Sequence, residues 1–224
     1  MNGEEREVCV QVGEAALEGT LGLPRDPIGV VLFAHGSGSS RFSPRNRFVA
    51  RVLRDAGLAT LLIDLLTARE EEVDLVTRHL RFDIRLLAER LVGALEWLAE
   101  EPDTRHLPVG LFGSSTGAAA ALVAAAARPD RVAAVVSRGG RPDLAGDALS
   151  RVRAPVLLLV GSRDEPVIEL NRDAMAQMHT ECELRIVRGA SHLFEEPGTL
   201  EEVARHAADF FTHVLREQAQ PAAW

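Results

Sequence analysis

An α/β protein with a mainly parallel central sheet of about eight strands, and helices on both of its faces, is the fold class this sequence predicts. Three observations carry the prediction. Short continuous apolar runs recur along the chain, segments with helical period lie between them, and no linker, repeat or low-complexity tract interrupts the alternation. One domain over residues 1–224 follows, with a loose tail at 218–224.

The elements follow in order. Residues 8–12 and 17–23 read as two early strands, separated by the hairpin-sized Gly13-Glu14-Ala15. Pro24-Arg25-Asp26-Pro27 then breaks the pattern and closes an N-terminal hairpin region over 1–28. The run at 29–34 is apolar throughout, as a strand buried on both faces of a parallel sheet must be. Runs of the same kind fall at 59–64, 109–113, 132–137, 156–161 and 184–187. Helical spacing marks 45–56, 82–98, 115–127, 169–178 and 199–216. The third of these is rich in alanine and suits close packing on a sheet. Trp97 on the long second helix reads as core, and Glu70-Glu71-Glu72 as a solvated acidic loop.

Composition excludes several classes of function. With 224 residues, 46% hydrophobic and 26% charged, the chain is globular rather than disordered. Its 25 basic against 33 acidic residues give a net charge of −8, and no local basic patch offsets it, so a nucleic-acid partner is not expected. Two cysteines and no Cys/His cluster provide neither a disulfide framework nor a zinc site. No apolar run reaches the roughly 18 residues of a membrane span, and the acidic N-terminus lacks a signal-like apolar region, so a cytoplasmic protein with no membrane partner is expected.

In sheets of this kind ligands bind beyond the carboxyl ends of the strands. There the strand at 109–113 runs into Gly113-Ser114-Ser115-Thr116-Gly117 and straight on into the alanine-rich helix. This is G-x-S-x-G between a strand and a helix, the setting of a nucleophile elbow. A sharp turn strains the backbone at Ser115, the two glycines admit neighbouring backbone, and the helix N-terminus favours an oxyanion. Ser114 is the residue better suited to capping the helix.

A serine hydroxyl needs a base, and the base an orienting acid. Asp164, in Gly161-Ser162-Arg163-Asp164 just past an apolar strand, is the candidate acid; a helix cap is its other reading, and Asp143 and Glu165 compete with it. Among seven histidines only His192 sits between the last strand and the last helix, preceded by small residues. The backbone N–H groups of Thr116 and Ser37 are the oxyanion donors expected, with Gly36 and Gly38 as alternatives to Ser37. His35 reads as a structural residue holding that loop. A phosphate loop is excluded because no Lys-[Ser/Thr] follows these glycines.

His35-Gly36-Ser37-Gly38, Gly113-Ser114-Ser115-Thr116-Gly117, Gly161-Ser162-Arg163-Asp164 and Ser191-His192 together resemble the α/β-hydrolase superfamily, and within it the small, lidless proteins related to dienelactone hydrolase. The resemblance covers about residues 29–216. It implies a Ser115–His192–Asp164 triad, acyl transfer to water, and no cofactor or metal. Dienelactone hydrolase itself uses a cysteine nucleophile where this elbow carries serine, which favours a general carboxylesterase over dienelactone chemistry. The family also includes domains fused to phosphoribosyltransferases.

Only about 18 residues separate Ser137 from Val156, too few for a cap, so an open site for small or short-chain esters is expected. Arg138 and Arg141 at the end of the sixth strand, and Arg41 and Arg45 after the oxyanion loop, are candidates to bind an anionic group on the substrate; solvated surface arginines are the competing reading. Thioester hydrolysis or acyl transfer, a dienelactone-type reaction on an anionic substrate, and a non-catalytic interaction domain are the other classes. A homodimer is left open.

Overall fold

The structure, a computed structural model, describes residues 4–219. Its elements in chain order are β1 (Glu4–Val12), β2 (Ala15–Leu23), β3 (Val30–Ala34), α1 (Pro44–Asp55), β4 (Ala59–Ile63), α2 (Ala68–Thr77), α3 (Ile84–Glu100), β5 (Val109–Ser114), α4 (Thr116–Ala127), β6 (Val132–Arg138), β7 (Val156–Gly161), α5 (Glu165–Met175), β8 (Cys182–Val187) and α6 (Thr199–Ala219). Two short 3₁₀ segments, Leu80–Phe82 and Pro142–Arg151, complete the set.

The strands form one eight-stranded sheet in the order β1-β2-β4-β3-β5-β6-β7-β8. The β1–β2 hairpin joins the edge antiparallel to β4, and every other pair is parallel. The chain leaves β3 for β4 on one side and then crosses to β5 on the other. The order of strands therefore reverses around β3, and the carboxyl ends of β3 and β5 flank the crevice this creates.

The central strands are buried on both faces because side chains alternate between two cores. On one face Leu32, Leu61, Leu111, Val135 and Leu158 pack with α3 and α4. On the other Val31, Phe33, Phe112, Val136 and Leu157 pack with α1 and α6, and the rings of Phe33 and Phe112 lie 4.9 Å apart. The run Ala118–Ala121 is fully buried, so α4 packs close to its neighbours mainly through small side chains. Trp97 packs, partly buried, on the α3/α4 side. The β6–β7 connection is built around the short Pro142–Arg151 segment, and among the described residues no cap domain covers the carboxyl edge. No helix among the described residues is long and apolar enough to cross a membrane.

Three local expectations need correction. Residues 70–72 lie in α2 rather than in a loop. Thr67 and Glu70 form a capping box there, and Glu70 also accepts from Arg90 at 2.6 Å, so only part of the acidic run is solvated surface. Helix α5 begins at Glu165 rather than 169, since Pro166 fits the first turn of a helix. Helix α6 continues through Ala219, two residues into the expected tail, whose remainder lies outside the described residues.

Candidate active site

The nucleophile candidate is built by backbone crowding. Ser115 stands between β5 and α4 at φ 51°, ψ −122°, a conformation that L-residues avoid and that costs about 1–3 kcal/mol. Its neighbours hold it there. A Cβ on Gly117 would fall 2.3 Å from the carbonyl oxygen of Ala34, and one on Gly113 would fall 2.4 Å from Cα of Ala118. Only glycine lets α4 start this close to β3 and its own strand. The strand that follows in the sheet completes the clamp. The Ser115 N–H donates to the Arg138 carbonyl (3.3 Å), and the Arg141 N–H donates to the Ser115 carbonyl (3.1 Å).

The acid and base candidates meet across two loops. His192 Nδ1 lies 2.6 Å from Asp164 Oδ2, with the carboxylate largely buried and the imidazole 40% exposed. Asp164 occupies the N-cap position of α5, yet its side chain makes no capping hydrogen bond. It is turned to the imidazole instead, which separates its two sequence readings. A carboxylate can only accept here, so the imidazole proton resides on Nδ1 and Nε2 carries the free lone pair. Asp143 is bound in bidentate fashion by Arg141 (2.9 and 2.7 Å) and Glu165 opens α5, so neither competitor partners His192. Ser114, on the last position of β5, is buried. Among the described residues the Ser115 hydroxyl makes no hydrogen bond, to His192 or to any other group. Such bonds are often long in unliganded sites and tighten around substrate. Residue 139 lies beside His192, where a Cβ would meet Cε1 at 3.7 Å, and residues 138 and 141 bond the Ser115 backbone.

The candidate oxyanion loop is tied from both ends. Leu65 N–H donates to His35 Nε2 at 3.0 Å, so the ring proton sits on Nδ1, 2.9 Å from the Gly36 carbonyl. Burial pushes the His35 imidazole below its ordinary pKa and keeps it neutral. The Ser37 N–H donates to Thr116 Oγ1 at 2.9 Å. By its place in the first turn of α4, the Thr116 N–H has no intrahelical acceptor.

The arginine candidates divide. Arg41 is paired with Asp64, Glu18 (2.9 Å) and Glu7 (3.4 Å), and Arg141 with Asp143, so both charges are already met. Arg138 is buried, and its Nη1 has no hydrogen-bond partner among the described residues.

Glu196 is a site residue the sequence reading missed. Its carboxylate accepts the Ser191 N–H at 3.0 Å, bracing the residue before His192, and that bond holds its pKa below the usual carboxylate range. Ser162 Oγ accepts from Gly189 N–H (2.8 Å) and the Arg163 N–H donates to the Ala190 carbonyl (2.9 Å), joining the loops of the candidate acid and base. No periodicity or motif marks these contacts. Among the described residues no group of three or more His, Cys, Asp or Glu side chains is placed to hold a metal ion.

The sequence profile of the dienelactone hydrolase family matches residues 17–217. The chain belongs to the dienelactone hydrolase family. Within it, the crystal structure of a dienelactone hydrolase from Anabaena variabilis is 63% identical and superposes with a TM-score of 0.95, over 96% of this chain and all of that one. Est1E from Butyrivibrio proteoclasticus shares the fold at 17% identity, with a TM-score of 0.77 over 93% of this chain and 98% of its own. A Mycobacterium tuberculosis protein named "putative phosphoribosyl transferase" is 59% identical over 207 residues, which is 92% of this chain and 46% of that protein. This dienelactone hydrolase family member thus spans about half the length of the curated relatives it matches. Its fold and family are those of a hydrolase.

Proposed function

We propose that the protein is a serine hydrolase of small or short-chain carboxylic esters, with Ser115 as nucleophile, His192 as general base and Asp164 as the acid that orients it. The observation that carries this reading is the 2.6 Å contact of Asp164 with His192 Nδ1, made by a carboxylate that forgoes a helix cap to form it. That bond leaves Nε2 basic and stabilises the imidazolium formed when the Ser115 proton is taken. Ser115 then attacks the ester carbonyl. The developing oxyanion receives the Thr116 N–H and the Ser37 N–H, the latter exchanging Thr116 Oγ1 for the substrate oxygen. His192 protonates the leaving alcohol, and water repeats the steps to release the acid. The strained backbone at Ser115 and the open carboxyl edge support a shallow site for small substrates.

The test is turnover of p-nitrophenyl acetate, run beside an acyl-CoA thioester. The wild type hydrolyses the ester with the higher kcat/KM. In Ser115→Ala, kcat falls by about three orders of magnitude or more while the circular-dichroism spectrum and Tm are kept. Unchanged ester turnover in Ser115→Ala overturns the reading, and a preference for the thioester replaces the substrate class.

A further inference from the structure

Residues 41–54 hold five arginines and no acid. The fold brings acids to three of them. Arg41 meets Asp64 and Glu18, Arg45 meets Glu195, and Arg54 meets Glu5 at 2.5 Å. Arg47 and Arg51 are different: both are exposed, and neither makes an ion pair among the described residues.

These two cations line a groove of about 610 Å³ between α1 and the antiparallel hairpin edge of the sheet, within the size range of small-molecule sites. Arg47, Phe48, Arg51 and Asp55 follow one another at one-, three- and four-residue steps and share one side of α1. Phe42 lines the same groove and is 54% exposed. Each ring carries a guanidinium on it: Arg41 lies 4.2 Å from the ring centre of Phe42, and Arg51 lies 5.2 Å from that of Phe48. Stacking of this kind holds a guanidinium flat and leaves its in-plane N–H donors available. Arg47 and Arg51 are one helical turn apart, so both can close on a single phosphate. An inorganic anion would leave the Phe42 ring in water, and an apolar molecule would leave the two cations unmatched. Asp55 adds a carboxylate that can only accept, suited to hydroxyl or amino donors on the same ligand. Two unmatched cations in a chain of net charge −8 suit one phosphate rather than a polyanion, whose binding needs many such contacts.

We propose that this groove binds a mononucleotide, with its phosphate between Arg47 and Arg51, its flat base on Phe42 and its ribose hydroxyls donating to Asp55. The groove contains none of Ser115, His192 and Asp164, and the proposal stands whether or not those three residues are catalytic.

The experiment is thermal unfolding of the wild-type chain titrated with AMP and with UMP, beside adenosine and inorganic phosphate, all at matched ionic strength. At least one mononucleotide raises Tm saturably, by about 2 °C or more, and adenosine or phosphate alone raises it by less than half as much. In the double variant Arg47→Ala/Arg51→Ala the apparent Kd of that nucleotide rises about tenfold or more, while turnover of p-nitrophenyl acetate stays at the wild-type value. Phe42→Ala removes the ring and leaves both cations, and raises the Kd about fivefold or more. No rise with either mononucleotide at millimolar concentration overturns the proposal. So does an unchanged Kd in the double variant, or an equal rise from phosphate alone, which leaves the ring without a role. Ser115→Ala keeps the nucleotide response, so this test and the esterase test fail independently; loss of the response in Ser115→Ala moves the ligand to the candidate active site and also overturns the proposal.

Discussion

The loop that carries Ser115 and the loop that carries His192 are both held by close backbone approach, the second where a Cβ on Gly161 would fall 2.4 Å from the Ala190 carbonyl oxygen, but only the second adds carboxylates. Around Ser115 the constraints are main-chain atoms: the carbonyl of Ala34, Cα of Ala118, and hydrogen bonds to the backbone of residues 138 and 141. Around His192 they include two carboxylates, those of Asp164 and Glu196, and the imidazole is 40% exposed. A nucleophile fixed by backbone packing cannot be adjusted without disturbing the fold. A base held by side-chain hydrogen bonds can be weakened by degrees. Both loops hold a non-glycine residue at positive φ, Ser115 at 51° and Phe194 at 55°, and the second also holds the imidazole to which we assign the proton chemistry.

Substitutions that separate these two kinds of support sharpen the comparison. The largest effect is expected at Asp164→Asn. The amide can donate to Nδ1 and so favour the wrong tautomer of His192, and kcat on p-nitrophenyl acetate falls about 10⁴-fold, close to 5.5 kcal/mol, with the fold retained. Loss of less than tenfold breaks the proposed role of the acid. Gly117→Ala comes next and acts on stability. Its methyl cannot be accommodated 2.3 Å from a backbone oxygen, so urea unfolding shows a loss at or above the upper end of the usual overpacking range of about 1–3 kcal/mol. Wild-type stability in that variant means the elbow is not fixed by crowding.

The smallest effect belongs to Glu196→Ala, which frees the Ser191 N–H while leaving Asp164 on His192; kcat falls less than tenfold. Its pH dependence has a definite sign. Because the folded pKa of Glu196 is depressed, its contribution is complete above the unfolded carboxylate value of about 4.3 and fades as pH falls through the lower folded value. The Tm gap between wild type and Glu196→Ala is therefore widest near neutrality and narrows below about pH 4. A gap that grows on acidification contradicts the assignment.

The same division explains how much was legible in the sequence. Strand–helix alternation exposed the sheet because β3, β4, β5 and β7 are buried on both faces and so read as unbroken apolar runs. The elbow was legible because its constraint, close backbone approach, forces glycines at fixed offsets from Ser115. Helix α2 was missed because AREEEVDLVT has no apolar stripe. Its one signal, the Thr67-x-x-Glu70 box, is local chemistry rather than periodicity. The distinction among Arg41, Arg138 and Arg141 was invisible, since it depends on which acids the fold brings alongside each guanidinium. Glu196 was hidden for the same reason: its role is a single bond to Ser191 across a turn.

The proposed mechanism depends above all on chemical activation of Ser115 by His192 and Asp164. Incubation of the wild-type chain with a fluorophosphonate, followed by mass spectrometry of the peptide spanning residues 109–128, tests it most directly. One phosphonyl adduct on Ser115, formed rapidly in the wild type and lost in His192→Ala, is the predicted result. An unmodified Ser115 under conditions that label a reference serine hydrolase to completion would contradict it.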